Sequence, residues 1–258
     1  GFRRAVLTLG SLPRLELGRR LRAGIPLRIG PFRYLIRSGL RSVADGVAGM
    51  YADFPLGDPD GFHDFHVRVD RVAGPRRWLR PQVNFWWDGV APFIPLPADQ
   101  AYAMLEWGMN WCISTQAHHY LLLHAAVLEH RGRCVILPGD PGSGKSTLTA
   151  ALMLSGWRLL SDELTVIDRD DGSIQPLARP VSLKNESIDL MRAFSSRAVF
   201  GQTARDTHKG TVSHLKPSAQ SVAGLDRKGR AAHIVFPRWA RGAETRLTAR
   251  PKADAFMH

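Results

Sequence analysis

The chain has 258 residues, 44% of them hydrophobic and 22% charged, which suits a folded globular protein and excludes wholesale disorder. The richest apolar stretch, Tyr120–Leu128, is short and carries His124, so no segment reads as a membrane span. The net charge of +12 sits at the ends, with seven arginines against Glu16 in residues 1–28 and eight basic residues against Glu244 in 227–252. No zinc-finger spacing or aromatic-rich RNA motif accompanies them. The basic ends therefore read as solvated surface or a dock for an acidic partner, not as a nucleic-acid site.

Residues 1–26 place Leu and Arg at loose helical spacing until Ile25-Pro26, which predicts a basic arm or short helix. Residues 27–95 read as a small β-rich lobe, with extended runs at Leu27–Ile36, Phe62–Val72 and Gln82–Trp87. Residues 96–258 read as the second domain. Pro95-Leu96-Pro97 leads into a helix expected over Ala98–Tyr120, whose stripe of Met104, Trp107, Trp111 and Ile113 reads as packing. Cys112 and Cys134 lie in apolar text without Cys-x-x-Cys spacing, so reduced core thiols in a cytoplasmic protein are expected.

Strands are expected at Ala125–Leu128 and Arg133–Leu137 around a Glu129–Gly132 turn. A helix over Lys145–Leu154, closed by Gly156, and a strand over Trp157–Leu160 follow. Leu164–Ile167 resumes β character before the Asp168–Gly172 turn. Residues 195–220, rich in Ser, Thr, Gly, Lys and His without periodicity, read as a mobile loop. The chain begins on Gly1 and stops at His258, which reads as trimmed at both ends.

The chemistry centres on Gly139-Asp140-Pro141-Gly142-Ser143-Gly144-Lys145-Ser146-Thr147. This is a G-x4-G-K-S pattern placed after an apolar strand and before a helix, the context of a phosphate-binding P-loop. The bare pattern arises by chance in about 1% of chains this long, and the strand-loop-helix context lowers that further. Glycines let backbone N–H groups turn towards phosphate oxygens, and the helix N-terminus adds partial positive charge. Lys145 is then expected on the β and γ phosphates of ATP and the Ser146 hydroxyl on Mg²⁺.

Asp162 and Glu163 close the next strand, 17 and 18 residues after Lys145. One carboxylate there can accept a proton from an attacking hydroxyl while the other serves the metal. The short spacing argues against a GTPase or an ABC-type ATPase. His124, 15 residues before Gly139, is expected on the strand beside the one that feeds the loop.

Leu123-His124-Ala125-Ala126-Val127, the loop and Ser161-Asp162-Glu163 together resemble the HPr kinase/phosphorylase family. Glu106-Trp107-Gly108-Met109-Asn110-Trp111-Cys112 and Arg179-Pro180-Val181-Ser182-Leu183-Lys184-Asn185-Glu186-Ser187 are similar to the HPr-kinase-related kinase A group within it. The resemblance implies a mixed α/β (α+β) fold like HPr kinase and phosphoenolpyruvate carboxykinase, with a mixed, curved sheet around the P-loop. It implies Asp162 as base, Glu163 on the metal side and His124 orienting Asp162 or the phosphate. The Glu-Ile-Arg-Gly-Leu-Gly signature of the first family is absent. HPr is therefore not the expected acceptor, nor phosphorylase activity expected.

Glu186 is a further metal candidate. Arg179, Lys184, Arg205, His208 and Lys209, with His214 nearby, are candidates for holding phosphate or acceptor. The expectation is an ATP- and Mg²⁺-dependent kinase acting on a Ser or Thr hydroxyl of a peptide or small protein, by family analogy a ribosomally made peptide. A homo-oligomer is compatible with this reading. A small-metabolite kinase and a non-catalytic, nucleotide-switched binding module are the alternatives.

Overall fold

Residues 7–74 and 80–256 are described by the structure, a computed structural model. Residues 1–6 of the expected arm lie outside that range, and the rest of the arm is mostly helix. Leu17 and Leu21 fall one turn apart on α1 (Arg14–Ala23) and are buried, while Arg20 on the outer side pairs with Glu16 at 2.8 Å. A ten-residue helix depends on such packing more than on propensity.

The single run expected at 27–36 is two antiparallel strands, β1 (Ile25–Ile29) and β2 (Phe32–Arg37). The chain reverses at Gly30-Pro31, where Gly30 has φ 58. α2 (Arg41–Met50) follows and was not expected. Val43, Gly46, Val47 and Met50 form its buried face at helical spacing, but two glycines and the lack of a side-chain cap weaken its signal. β3 (Phe65–Arg71), β4 (Gln82–Trp87) and β5 (Leu96–Pro97) complete a five-stranded sheet in the order β1-β2-β3-β4-β5.

α3 (Ala101–Gln116) packs on β3 and β4, and its buried side chains share one core with α1, α2 and β1–β4. The helix ends four residues short of the expected Tyr120. It packs on the first lobe's sheet, while the expectation groups it with the second domain as its lead-in helix. Gly108 permits the close approach to the sheet: a Cβ there would lie 2.2 Å from the Phe85 ring.

β6 (Tyr120–Leu123) was not expected; it pairs with β10 (Thr165–Asp168), which also pairs with β11 (Ile174–Gln175). The hairpin of β7 (Ala125–His130) and β8 (Arg133–Pro138) turns through Arg131 and Gly132, both at positive φ. α4 spans Lys145–Leu154, with Gly156 beyond its end at φ 99. β9 (Arg158–Ser161) pairs with β7, not with β8, and β15 (Ala231–Ile234) lies parallel to β8.

The resulting sheet, β15-β8-β7-β9, is mixed, and the whole chain is mixed α/β. Ala126, Leu128, Leu137 and Leu159 face a core with Ala150 and Met153 of α4; Ala125, Val127, Ile136 and Leu160 face a second core behind it. Burial on both faces explains why Ala125–Leu128 is continuously apolar and not alternating.

The loop expected at 195–220 is instead largely a hairpin, β13 (Phe200–Thr207) and β14 (Gly210–Leu215), joined to β12 (Val181–Lys184). Two register shifts in β13 break the period-two pattern that would have revealed it. α5 (Glu186–Phe194) and α6 (Ala219–Ala223) flank this unit, and α7 (Lys252–Phe256) closes the described chain. Cys112 and Cys134 are free and buried, and burial pushes their thiols up to about 12 and about 11. Among the described residues no helix is long and apolar enough to cross a membrane.

Gly108→Ala is expected to lower unfolding free energy by about 1–3 kcal/mol through overpacking against Phe85. Gly18→Ala on α1, where an added Cβ meets nothing within 4 Å, is the control and should be neutral or slightly stabilising. Urea unfolding of both variants checks this, and equal effects would contradict it.

Candidate active site

The loop between β8 and α4 is shaped by two glycines at positive φ, Gly142 at 88 and Gly144 at 86. Both values are strained for any side chain bearing a Cβ. Ser143 N–H donates to Asp140 O at 3.1 Å, folding the loop, and Leu148 N–H returns to Gly144 O at 2.9 Å to start the helix. Among the described residues the N–H groups of Gly142, Gly144, Lys145 and Ser146 enter no backbone hydrogen bond. They form, with the start of the ten-residue α4, a set of donors suited to an anion.

Lys145 is 8% exposed, yet its Nζ has no hydrogen-bond partner among the described residues. Burial pulls its ammonium below the usual lysine range, against the opposing charges of Asp162 and Glu163. Ser143 Oγ, Asp162 Oδ1 and Ser182 Oγ are also buried and unpartnered. Buried polar atoms without partners are rare in folded proteins. Here several share one site, because Asp162 Oδ2 receives the Ser146 hydroxyl at 3.4 Å and the Ser182 N–H at 3.1 Å.

β9 ends at Ser161 and delivers Asp162 to this point, while β12 supplies Ser182 and α4 supplies Ser146. Burial, then the neighbouring Glu163, raises the Asp162 carboxyl to about 7; the two hydrogen bonds and Lys145 oppose the rise.

A second set of side chains meets Asp162 and Glu163 from the other side. Arg179 is buried and pairs with Glu106 at 2.5 Å, donates to Glu106 O at 2.8 Å and also reaches Asn110. Asn110 in turn donates to Glu163. Tyr51 and Tyr102 donate to Glu106 at 2.8 and 2.6 Å. A small cleft lies between the two sets, lined by Asn110, Asp162, Glu163, Arg179 and His214 among others. Asn110 and Glu106 were read only as part of a resemblance. The signal that could have marked them is two polar residues four apart on an otherwise apolar helix.

The other candidate residues divide. His124 stands at the bend between β6 and β7, exposed, and not within the strand beside β8. Its imidazole is pulled below the usual range by partial burial and then by Lys145, with Lys209 and Lys184 adding to the effect and Glu163 opposing it. His124, Lys184 and Lys209 thus sit within electrostatic reach of the loop. Lys209 lies 5.3 Å over the Trp107 ring and His208 meets that ring at 5.2 Å, so Trp107 is not mere core filler. Trp111 is packing as expected, against Trp87 and Phe93.

Arg179 is committed to Glu106 and Asn110, and His214 is buried edge-on to Tyr102 at 5.4 Å. Arg205 is exposed on β13, and Glu186 faces solvent with Arg241 at 3.5 Å. Neither Arg205 nor Glu186 contacts the Lys145–Asp162 site in the structure.

No protein-family model matches this chain, and no curated protein matches it either. The resemblance stated above rests on its motif residues alone.

The residues fit a polyphosphate with a hard cation. Among the described residues no group of three or more His, Cys, Asp or Glu could hold a metal by itself. Mg²⁺ seldom uses an all-protein cage, however, and takes one or two protein oxygens with phosphate and water. Ser146 and Asp162 are such a pair, with Lys145 and the loop N–H groups left for phosphate.

The raised Asp162 carboxyl has a measurable consequence. The folded, ligand-free chain keeps a proton there that the unfolded chain releases, so its stability falls as pH rises from about 4 to about 7 and the effect levels off above that. Lys145, Glu163, Ser146 and Ser182 are the groups that face this carboxyl. Urea unfolding at pH 5 to 8 should show the stability of Asp162→Asn gaining on that of the unaltered chain as pH rises. A difference independent of pH would contradict this.

Proposed function

We propose that this chain is an ATP-dependent, Mg²⁺-requiring kinase that transfers the γ-phosphate to a hydroxyl, most plainly a Ser or Thr of a peptide or small protein. The observation that carries the reading is the buried, unpartnered Lys145 ammonium under a glycine loop, beside a Ser146–Asp162 contact. A buried cation without a partner is costly. Phosphate oxygens are the partner that this loop is shaped to deliver.

Each residue then has a task. The loop N–H groups and Lys145 hold the phosphates and balance charge as the phosphoryl group moves. Ser146 and the Oδ2 side of Asp162 would hold Mg²⁺, which when bound would supply charge neutralisation for the phosphates. Asp162 Oδ1, buried and without a partner among the described residues, is the oxygen that would take the proton of the acceptor hydroxyl. Asn110 fixes Glu163 as the second negative group, and His124, Lys184 and Lys209, which influence one another electrostatically near Lys145 and Glu163, are assigned to the acceptor. Glu186, which meets Arg241, and Arg205 on β13 are given no part in this reading. The HPr-kinase-like resemblance supports the same reaction class, and the peptide acceptor follows from it by analogy.

Lys145→Ala is expected to weaken ATP binding at least tenfold by calorimetric titration; unchanged affinity would remove the phosphate-loop reading. Asp162→Asn should keep metal-free ATP binding and lose phosphotransfer by about 10²-fold or more. Equal loss of binding and turnover would favour a nucleotide-switched binding module, in which the β-rich lobe recognises a partner.

A further inference from the structure

β15 is parallel to β8, so the chain leaving β15 emerges at the same end of the sheet as the glycine loop. It then follows the loop closely. Val235 N–H donates to Ile136 O at 2.9 Å, Pro237 lies close to Gly139, and Trp239 N–H donates to Ser143 O at 3.0 Å. The Trp239 Cβ packs against Gly144, at 3.0 Å from where a Cβ on that glycine would stand. The backbone of this tryptophan is therefore tied to the loop that the proposed function assigns to phosphates.

Trp239 is 63% exposed, and among the described residues its indole has no aromatic, cationic or hydrogen-bonding partner. The other described tryptophans differ. Trp87 and Trp111 meet each other, Trp86 lies under Arg68, Trp107 meets His208, and Trp157 stacks on His130. An aromatic ring open to water beside the glycine loop is available for a flat ligand to cover. Arg238, its neighbour in the chain, is also exposed.

We infer that Trp239 is the platform on which the base of the bound nucleotide stacks. The inference rests on the phosphate-binding role proposed for residues 139–147. It adds what a phosphate loop alone cannot supply, a surface that distinguishes a nucleotide from a bare polyphosphate. Every nucleobase has a π-face, so the contact favours larger rings without reading hydrogen-bonding groups. It also gives the segment after β15 a role in the site, which no motif in the sequence assigns.

Calorimetric titration with two probes, ATP and inorganic tripolyphosphate, each with Mg²⁺, tests this on the full chain. Trp239→Ala should weaken ATP binding by about tenfold or more while tripolyphosphate affinity stays within about twofold, and Trp239→Phe should restore most of the ATP affinity. Retained tripolyphosphate binding also shows that the variant is folded with its loop intact. Unchanged ATP affinity, or equal loss for both probes, would overturn the inference and leave the phosphate loop standing. Binding of neither probe by the unaltered chain would overturn the phosphate-loop reading itself, and this inference with it.

Discussion

Three separate segments of the chain are fastened at the carboxyl group of Asp162. The hydroxyl of Ser146 comes from the start of α4, the N–H of Ser182 comes from β12, and Asp162 itself ends β9. A buried carboxyl needs donors, and these two occupy only one of its oxygens. The remaining oxygen, the Lys145 ammonium and two serine hydroxyls stay buried and unpartnered around it. Gathering buried polar groups in one place carries a cost in folding, which makes this the candidate site for a polar ligand.

The surroundings explain how this cost is sustained. Both faces of β7 are covered, so the hairpin that feeds the loop is fixed by two cores, and α4 is held on one of them by Ala150 and Met153. Arg158, almost fully buried on β9, pairs with Glu129 on β7 and donates to the carbonyls of Gly224 and Arg227 at 3.0 Å. One side chain thus ties the strand that carries Asp162 to the segment leading into β15. On the far side, Arg179 binds α3 to the turn before β12 through Glu106 and Asn110, and Asn110 passes the order on to Glu163. Breaking a buried pair of this kind leaves a stranded charge, so the network behaves as a unit.

Much of this was legible in the sequence where local chemistry decides the outcome. The glycine loop, α4 and its Gly156 stop, the β7–β8 turn and β4 follow from turn residues and periodicity, and the structure agrees within a residue or two. Elements without a local signature were not legible. α2 has two glycines and no side-chain cap, β6 is a four-residue apolar strand easily merged with the end of α3, and β13 is broken by register shifts. Site residues followed the same division. Lys145, Ser146 and Asp162 are placed by motif and meet in space. Glu186 and Arg205, chosen for charge in a nearby stretch, face solvent, and Arg179, chosen likewise, is used up by Glu106. Asn110 and Trp239 depend on contacts across 53 and 96 residues of chain, which spacing along a sequence cannot show.

If buried, unpartnered groups are what define the site, a ligand that satisfies them must stabilise the fold. The direct measurement is the thermal unfolding midpoint of the unaltered chain with and without Mg²⁺ and ATP, beside the same pair for Lys145→Ala. The account predicts a clear rise for the unaltered chain, equivalent to about 2.7 kcal/mol at one hundred times the dissociation constant, and at most about half of that for the variant. A midpoint that millimolar nucleotide leaves unmoved, or moves equally in both proteins, would contradict it.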